Sequence, residues 1–234
     1  MKLGVKDIAR MIDISAVRTP HGDKEIINLV KHAKEYSFKA VHVLPCWVTF
    51  LKHHLTGTKN ILIGAPVGFP SGAHKTVIKI MEAKELLKDG VQEMDMMLNV
   101  GKLRSRAYHY VEDEIRAIVD VAGEEGVLVK VILEVHFLSN EEIKKACELC
   151  INANAEFVKT STGWAPSGAT LETVSLITKF VGNSVKVKAA GNIRNLDILI
   201  KMYKMGVVRF GINVDASMEI IKECSALPGG FLEL

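Results

Sequence analysis

The sequence predicts an α/β protein, a single (β/α)8 TIM barrel in which residues 1–234 form one domain. Short β-branched runs alternate eight times with longer amphipathic segments, and no Pro/Ser/Gly-rich linker or change of composition divides the chain. Strands that alternate with crossover helices pair in parallel, and eight such pairs close into a barrel. A doubly wound sheet is the alternative, but Ser15–Gly22 lacks the G-x-G-x-x-G turn that such a sheet needs.

Each predicted strand is a short run rich in apolar and β-branched residues. In chain order the predicted strands are Arg10–Ile14, Ala40–Leu44, Ile61–Ala65, Glu93–Leu98, Val129–Glu134, Phe157–Ser161, Val185–Ala190 and Arg209–Ile212. Amphipathic periodicity predicts helices at Asp23–Tyr36, Cys46–Leu55, Lys75–Lys88, Tyr108–Ala122, Asn140–Asn152, Leu171–Phe180, Leu196–Lys204 and Ala216–Cys224. Four glycines stand where a helix ends before the next strand, as C-cap residues do: Gly90, Gly126, Gly182 and Gly206.

Alternation within the strands separates an apolar face from a charged one. In Glu93–Asn99, Glu93 and Asp95 share one face and the apolar residues share the other. A barrel strand turns its apolar face to the helices, so the lumen is expected to hold Asp13, Asp95, Lys130, Glu134, Lys159 and Lys188. A half-solvated antiparallel sheet is the alternative, which the helical spacers disfavour. Because buried charges are costly unless they are paired, such a lumen indicates a functional site.

A lysine stands in the middle of the run Phe157-Val-Lys-Thr-Ser-Thr-Gly163. In a dry lumen beside a second cation, a lysine loses affinity for its proton, and the free amine can attack a carbonyl to form a Schiff base. Lys188, on the next predicted strand, is the candidate for that second cation. The alternative is a purely structural network in which both lysines pair with Asp95 and Glu134 and carry no chemistry.

The chain resembles the deoxyribose-phosphate aldolase family over nearly its whole length. The resemblance is carried by the stretches Ala-Val-His-Val-Leu-Pro45, Gly-Phe-Pro-Ser-Gly-Ala73, Glu-Met-Asp-Met-Met97, Lys-Val-Ile-Leu-Glu134, Phe-Val-Lys-Thr-Ser-Thr-Gly163 and Val-Lys-Ala-Ala-Gly191. It implies a barrel without a metal or other cofactor. It also implies a class I aldolase that cleaves 2-deoxyribose 5-phosphate to acetaldehyde and glyceraldehyde 3-phosphate. By this likeness Lys159 forms the Schiff base, Lys188 lowers its pKa, and Asp95 works with Lys188 to hold a water and move protons.

The same resemblance implies a set of substrate-binding positions: Asp13, Ser15, His42, Lys130, Thr160, Gly163, Gly191, Asn192, Arg194, Gly211 and Asn213. The family usually reads Asp-His-Thr near the first strand, where this chain has Asp13-Ile14-Ser15. A cysteine is common in the family where His42 stands. The small-molecule ligand implied is a sugar phosphate or an aldehyde.

The phosphate end of the implied site departs most from the family. The family binds phosphate through a Gly-Gly pair and a Gly-x-Ser-Ser turn, and this chain has Gly191-Asn192 and Gly211-Ile-Asn-Val214 followed by Asp215. The lost hydroxyl donors and the added carboxylate predict weak phosphate recognition, with Asp215 capping its own helix instead. Arg194 and Arg209 can compensate, unless Arg209 pairs with Asp13 or Glu134. An unphosphorylated or different aldehyde or ketone substrate, and a non-catalytic binding protein, are the alternatives.

Composition excludes several other classes. The 30 Lys and Arg against 27 Asp and Glu leave a net charge of +3, which makes no electrostatic case for nucleic acid. The charged start has no apolar segment for a signal peptide, no apolar run has the length of a membrane span, and four cysteines make no disulfide framework. We therefore expect a cytoplasmic protein. A homo-oligomer, either a dimer or a tetramer, is a separate expectation. A metal-dependent aldolase using His42, His74 and His136 is disfavoured because no H-x-H spacing supports it.

Overall fold

The computed structural model describes residues 2–233. Eight parallel strands, β2 to β9, close into a barrel in sequence order, which confirms the predicted fold class. Two short antiparallel strands, β1 and β10, pair with each other outside it. The strands are β1 Lys2–Gly4, β2 Ile12–Ala16, β3 Ala40–Val43, β4 Leu62–Val67, β5 Glu93–Met97, β6 Leu128–Ile132, β7 Phe157–Lys159, β8 Lys186–Ala190, β9 Val207–Asn213 and β10 Phe231–Glu233.

The helices cover the outside of the barrel and bury apolar residues against the strands. They are α1 Val5–Ala9, α2 Asp23–Tyr36, α3 Val48–His54, α4 Thr76–Asp89, α5 Val100–Arg104, α6 Tyr108–Gly123, α7 Asn140–Asn152, α8 Leu171–Val181, α9 Leu196–Lys204 and α10 Val214–Ser225. The eight predicted helices and strands are all present, and their ends move by at most two residues, as at Ile12 in place of Arg10.

Capping residues explain where several helices begin and end. All four glycines expected at helix ends have positive φ, a backbone conformation that only glycine adopts without cost. Ser139 opens α7 with a capping box, in which its hydroxyl accepts from the amide of Glu142 and the Glu142 carboxylate accepts from the amide of Ser139. Local sequence therefore determines the boundaries of these elements.

Strand register determines which lumenal side chains become neighbours. Asp95 on β5 lies opposite Lys130 on β6, and Lys159 on β7 lies opposite Lys188 on β8. Lys188 in turn lies opposite Arg209 on β9. Because side chains alternate along each strand, this register points several charged groups into one small lumen.

Four short elements were not expected from the sequence: β1, α1, α5 and β10. Each has only three to five residues, too few to show a helical or strand period. Strands β1 and β10 pair antiparallel, with Lys2 opposite Glu233 and Gly4 opposite Phe231. This pairing joins the two ends of the described chain.

Helix α4 carries a buried ion pair that the amphipathic pattern conceals. Lys79 lies on its inner face with no exposed surface, and its Nζ donates to Glu114 Oε2 at 2.8 Å and to the carbonyl oxygen of Met97 at 2.7 Å. Glu114, on α6, is also fully buried. The pair therefore joins α4, α6 and the end of β5 through groups that are costly to leave unpaired.

We expect Lys79→Met to lower the free energy of unfolding by about 3–5 kcal/mol, because it leaves the buried Glu114 carboxylate without its cation. The double variant Lys79→Met/Glu114→Leu should recover most of that loss, since it removes both charges together. Urea denaturation of the three proteins measures the difference. A loss below about 1 kcal/mol in the single variant would show that the pair is not a structural requirement.

Candidate active site

A cavity of about 130 Å³ opens at the carboxyl ends of the barrel strands. Its floor is formed by Asp13, Asp95, Lys159 and Lys188, which project from the strands. Its walls come from the loops and turns that follow β2, β4, β7, β8 and β9. This end of a (β/α)8 barrel is where the active sites of such enzymes lie.

The Asp95 carboxylate contacts four basic side chains and organises the floor. Lys159 Nζ donates to its Oδ2 at 2.8 Å, and Lys188 Nζ donates to the same oxygen at 2.7 Å. The other oxygen, Oδ1, faces His42 Nε2 at 3.2 Å and Lys130 Nζ at 3.4 Å. All five side chains are at least nine-tenths buried. One oxygen of Asp95 therefore holds the two lysine amines together.

A second layer of ion pairs lies beneath Asp95. Lys188 Nζ is 2.6 Å from Asp13 Oδ2, and Arg209 Nε donates to Asp13 Oδ1 at 2.8 Å. Arg209 also donates to Glu93, and Lys130 Nζ donates to Glu93 Oε2 at 2.7 Å. Three carboxylates thus alternate with four basic side chains through the lumen, which offsets the cost of burying these groups.

The surroundings of Lys159 favour its neutral amine. Burial is the largest effect and lowers its pKa, the charge of Lys188 lowers it further, and Asp95 opposes both. The result is a pKa of about 8 in place of the ordinary 10.5. At pH 7 about a tenth of Lys159 is therefore unprotonated, against fewer than about one in a thousand at the ordinary pKa, and this free amine is available as a nucleophile.

Lys188 and Asp95 remain charged under the same conditions. Burial alone would lower the pKa of Lys188, but the carboxylates of Asp13 and Asp95 outweigh it and raise the pKa above its ordinary value. Burial would likewise raise the pKa of Asp95, and the two lysines reverse that and hold it well below its usual range. The pKa values of these two adjacent lysines thus shift in opposite directions, because Lys188 contacts two carboxylates and Lys159 contacts one.

His42 packs tightly beside Asp95. A Cβ placed on Gly64 would lie 2.3 Å from His42 Nε2, so the imidazole occupies space that only a glycine on the neighbouring strand leaves free. Burial and the nearby Lys188 charge lower the pKa of His42 below 6.5, despite the opposing effect of Asp95. A neutral imidazole that donates from Nε2 accounts for its contact with the carboxylate.

The described residues do not fit a metal centre. Asp13, His42 and Glu93 bring one ligand atom each within 4.8 Å of one another, which is the spacing of a candidate site. Both carboxylates are already paired with Lys130, Lys188 or Arg209, and these cations would repel a divalent ion. His74 and His136 are exposed and lie outside the cavity lining.

The structure brings most of the predicted site residues together. The three proposed catalytic side chains, Asp95, Lys159 and Lys188, meet at one carboxylate oxygen. The cavity is also lined by the expected binding positions Asp13, Ser15, His42, Gly163, Gly191, Asn192, Arg194, Gly211 and Asn213.

Two predicted binding residues, Lys130 and Thr160, lie outside the cavity lining. Lys130 is fully enclosed beneath Asp95, where it pairs with Glu93. Thr160 is fully buried, and its hydroxyl donates to the carbonyl of Ala190 and accepts from the Ala190 amide, at 3.0 and 2.9 Å. Both residues support the floor from behind.

Two further details, at Glu134 and at the start of α10, differ from what the sequence led us to expect, and the contacts of Arg209 decide between alternatives that the sequence left open. Glu134 is buried, but its carboxylate accepts from the amide and hydroxyl of Thr162 and pairs with neither lysine. Asn213, in place of Asp215, caps α10, because its side chain accepts from the amide of Ala216 at 3.0 Å. Asp215 is exposed and lies outside the cavity lining. Arg209 is committed to Asp13 and Glu93 on the floor, so it cannot reach a phosphate at the mouth.

Sequence reasoning missed two charged groups near the site. Glu93 shares a strand face with Asp95, so the period of two contained the signal for its lumenal position. Arg18 lies in the loop after β2 and lines the cavity, and its place depends on loop geometry that no period reveals. Its guanidinium lies 5.6 Å from the centre of the Trp164 ring.

Together the barrel and this cavity define a class: a (β/α)8-barrel enzyme whose buried floor can support amine chemistry. A family model for DeoC/LacD family aldolases matches residues 8–207. The chain belongs to that family and is therefore a lyase of the aldolase type.

Individual relatives agree with this assignment. The deoxyribose-phosphate aldolase of Rhizobium meliloti (strain 1021) is 45% identical over 232 residues, which cover 99% of this chain and 93% of that protein. The deoxyribose-phosphate aldolase of Thermococcus kodakarensis is 44% identical, over 88% of this chain and 92% of its own. Among solved structures, a tetrameric deoxyribose phosphate aldolase from Aeropyrum pernix superposes with a TM-score of 0.85 at 25% identity, covering 96% and 93% of the two chains.

No helix among residues 2–233 is long and apolar enough to span a membrane.

We expect Lys188→Met to lower kcat/KM at pH 7 by about tenfold or more, because loss of the adjacent cation raises the pKa of Lys159 and each unit removes tenfold of the free amine. In the wild type, kcat/KM should rise with pH through about 8, the pKa of Lys159, and then level off. In Lys188→Met this rise of kcat/KM should occur at higher pH, and in Lys188→Arg the shift should be smaller. If Lys188→Met kept the wild-type pH dependence and most of the wild-type kcat/KM at pH 7, the proposed effect of Lys188 on Lys159 would be contradicted.

Proposed function

We propose that this chain is a Schiff-base aldolase that reversibly cleaves 2-deoxyribose 5-phosphate to acetaldehyde and glyceraldehyde 3-phosphate. One observation carries the proposal: the buried Lys159 amine, with a pKa of about 8, shares one oxygen of Asp95 with a charged Lys188. The relatives from Rhizobium meliloti and Thermococcus kodakarensis are deoxyribose-phosphate aldolases, which supports the choice of substrate.

In this proposal Lys159 is the nucleophile. Its neutral amine adds to the aldehyde carbon of the open-chain sugar, and loss of water from the adduct leaves an iminium ion. Removal of the proton from the C3 hydroxyl then breaks the C2–C3 bond, and the bonding electrons move into the iminium to give an enamine. Glyceraldehyde 3-phosphate leaves, the enamine is protonated at its terminal carbon, and water releases acetaldehyde and restores the amine.

The neighbours of Lys159 have separate roles in the same proposal. Lys188 stays charged, so it keeps the pKa of Lys159 low. Asp95 is the acceptor for both lysines and is placed to hold a water against them, which can pass protons to and from the adduct. The other expected positions that line the cavity form its binding surface.

We also propose that residues 1–234 act as one catalytic domain, which needs no cofactor. A homo-oligomer, either a dimer or a tetramer, is the proposed assembly, and the tetrameric relative from Aeropyrum pernix supports it. We propose a cytoplasmic location, in keeping with four cysteines that are all unpaired, three of them buried.

Reductive trapping tests the proposed function. Borohydride added in the presence of acetaldehyde should leave an ethyl group on Lys159, because reduction fixes the two-carbon Schiff base. Peptide mass spectrometry locates the group, Lys159→Arg should abolish it, and Lys186→Arg, an exposed position on neighbouring β8, should label as the wild type does. Labelling at a different lysine, or turnover of 2-deoxyribose 5-phosphate without any adduct, would refute the proposal.

A further inference from the structure

We infer that Arg18 is a specificity-determining residue, whose guanidinium binds the terminal phosphate of the substrate at the cavity mouth. The inference rests on the proposed function, because it assumes that the aldehyde end of the sugar reaches Lys159. It assigns phosphate recognition to a side chain on the β2–α2 loop, in addition to the turns after β8 and β9. Arg18 and Lys159 line the same cavity.

Arg18 is held in position by the loop after β7. Its Nη2 donates to the carbonyl oxygen of Gly163 at 2.5 Å, and its guanidinium lies over the Trp164 ring. Trp164 is itself anchored, because its Nε1 donates to the carbonyl oxygen of Val17 at 2.9 Å and its ring meets Phe69 edge to face at 5.6 Å. The two loops are therefore tied together, and little side-chain entropy remains for Arg18 to lose when it binds a ligand.

The guanidinium keeps donors for an anion. An arginine side chain has five N–H donors, and the bond to Gly163 is the one hydrogen bond that the Arg18 guanidinium makes within residues 2–233. None of the described carboxylates lies within 4.0 Å of it as an ion pair. The planar guanidinium can donate two parallel hydrogen bonds to two oxygens of one phosphate, a geometry that a lysine ammonium does not offer.

Charge along the cavity favours an anion at the mouth. The carboxylates that line the cavity are Asp13 and Asp95, and lysines and an arginine neutralise both of them on the floor. Arg18 and Arg194 line the cavity, and both are exposed. A ligand with an aldehyde at one end and a phosphate at the other matches this order of groups.

The turns after β8 and β9 leave a need for a side-chain donor. The Asn213 side chain accepts from the amide of Ala216, so it occupies one of the amides at the start of α10 that a phosphate would otherwise take. Asn192, with φ of 64°, carries an exposed side chain at the turn where the family has a second glycine and binds phosphate. Its side chain stands where the backbone would otherwise approach the phosphate closely. Arg18 supplies donors that these turns lack, which argues against the weak phosphate recognition expected from the sequence.

The test is the ratio of kcat/KM for 2-deoxyribose 5-phosphate over that for 2-deoxyribose. Arg18→Met should lower this ratio by about ten- to a hundredfold, mainly through a higher KM for the phosphorylated substrate, because charged hydrogen bonds are lost. Arg18→Lys should lower the ratio by less, since it keeps the charge without the fork. Inorganic phosphate should also inhibit Arg18→Met less strongly than the wild type.

Lys59→Met is the matched control. Lys59 is exposed in the segment before β4, at the opposite end of the barrel from the cavity, so its loss removes one positive charge without touching the mouth. It should keep the wild-type ratio. An unchanged ratio in Arg18→Met, or an equal fall in Lys59→Met, overturns the inference while the borohydride adduct at Lys159 remains. Absence of that adduct in the wild type overturns the proposed function, and this inference with it.

Discussion

Two lysine amines share one oxygen of the Asp95 carboxylate, and the chemistry available to this barrel depends on that contact. Lys159 and Lys188 are adjacent on neighbouring strands and both are buried, yet their pKa values move in opposite directions. The asymmetry arises beneath them, because Lys188 has Asp13 as a second carboxylate and Lys159 does not. A single added carboxylate thus separates a lysine that can act as a nucleophile from one that stays charged.

The geometry of the barrel offsets the cost of burying these charged groups. Parallel register places Asp95 beside Lys130 and Lys159 beside Lys188, and the alternation of side chains points all four groups inward. Glu93 and Arg209 complete a lower layer in which each carboxylate meets at least one cation. Each group of this lower layer has at least two partners, so removal of one member would leave the lumen with an unbalanced buried charge, and the layer that holds Asp95 also contributes to the stability of the fold.

Regular patterns made most of the fold and the floor predictable from sequence. The period of two located Asp95, Lys130, Lys159 and Lys188 in the lumen, and the glycine C-caps marked the helix ends. The pattern failed at Glu134, which lies beyond the end of β6 with a left-handed backbone, so its carboxylate turns to Thr162. It also could not show that the Thr160 hydroxyl is used by the backbone of Ala190, because strand pairing decides that contact.

Loop geometry was the part that sequence reasoning could not supply. Arg18 and Trp164 are distant in sequence and meet only because the loops after β2 and β7 converge above the lumen. No periodicity describes such loops, and a residue's place in them depends on the hydrogen bonds and ring contacts made in the folded chain. The floor and the mouth of this cavity therefore differ in origin: strand register builds the floor, and side-chain contacts between loops build the mouth.

The most direct test of this account is an NMR titration of the lysine side-chain amines, with Lys159 assigned through Lys159→Arg. In the folded wild-type protein the Lys159 amine should titrate near pH 8, while Lys188 stays protonated across the same range. This result would show that the Asp95 and Asp13 contacts separate the two lysines as described. Titration of Lys159 near its ordinary value of 10.5, or of Lys188 before Lys159, would contradict the central claim.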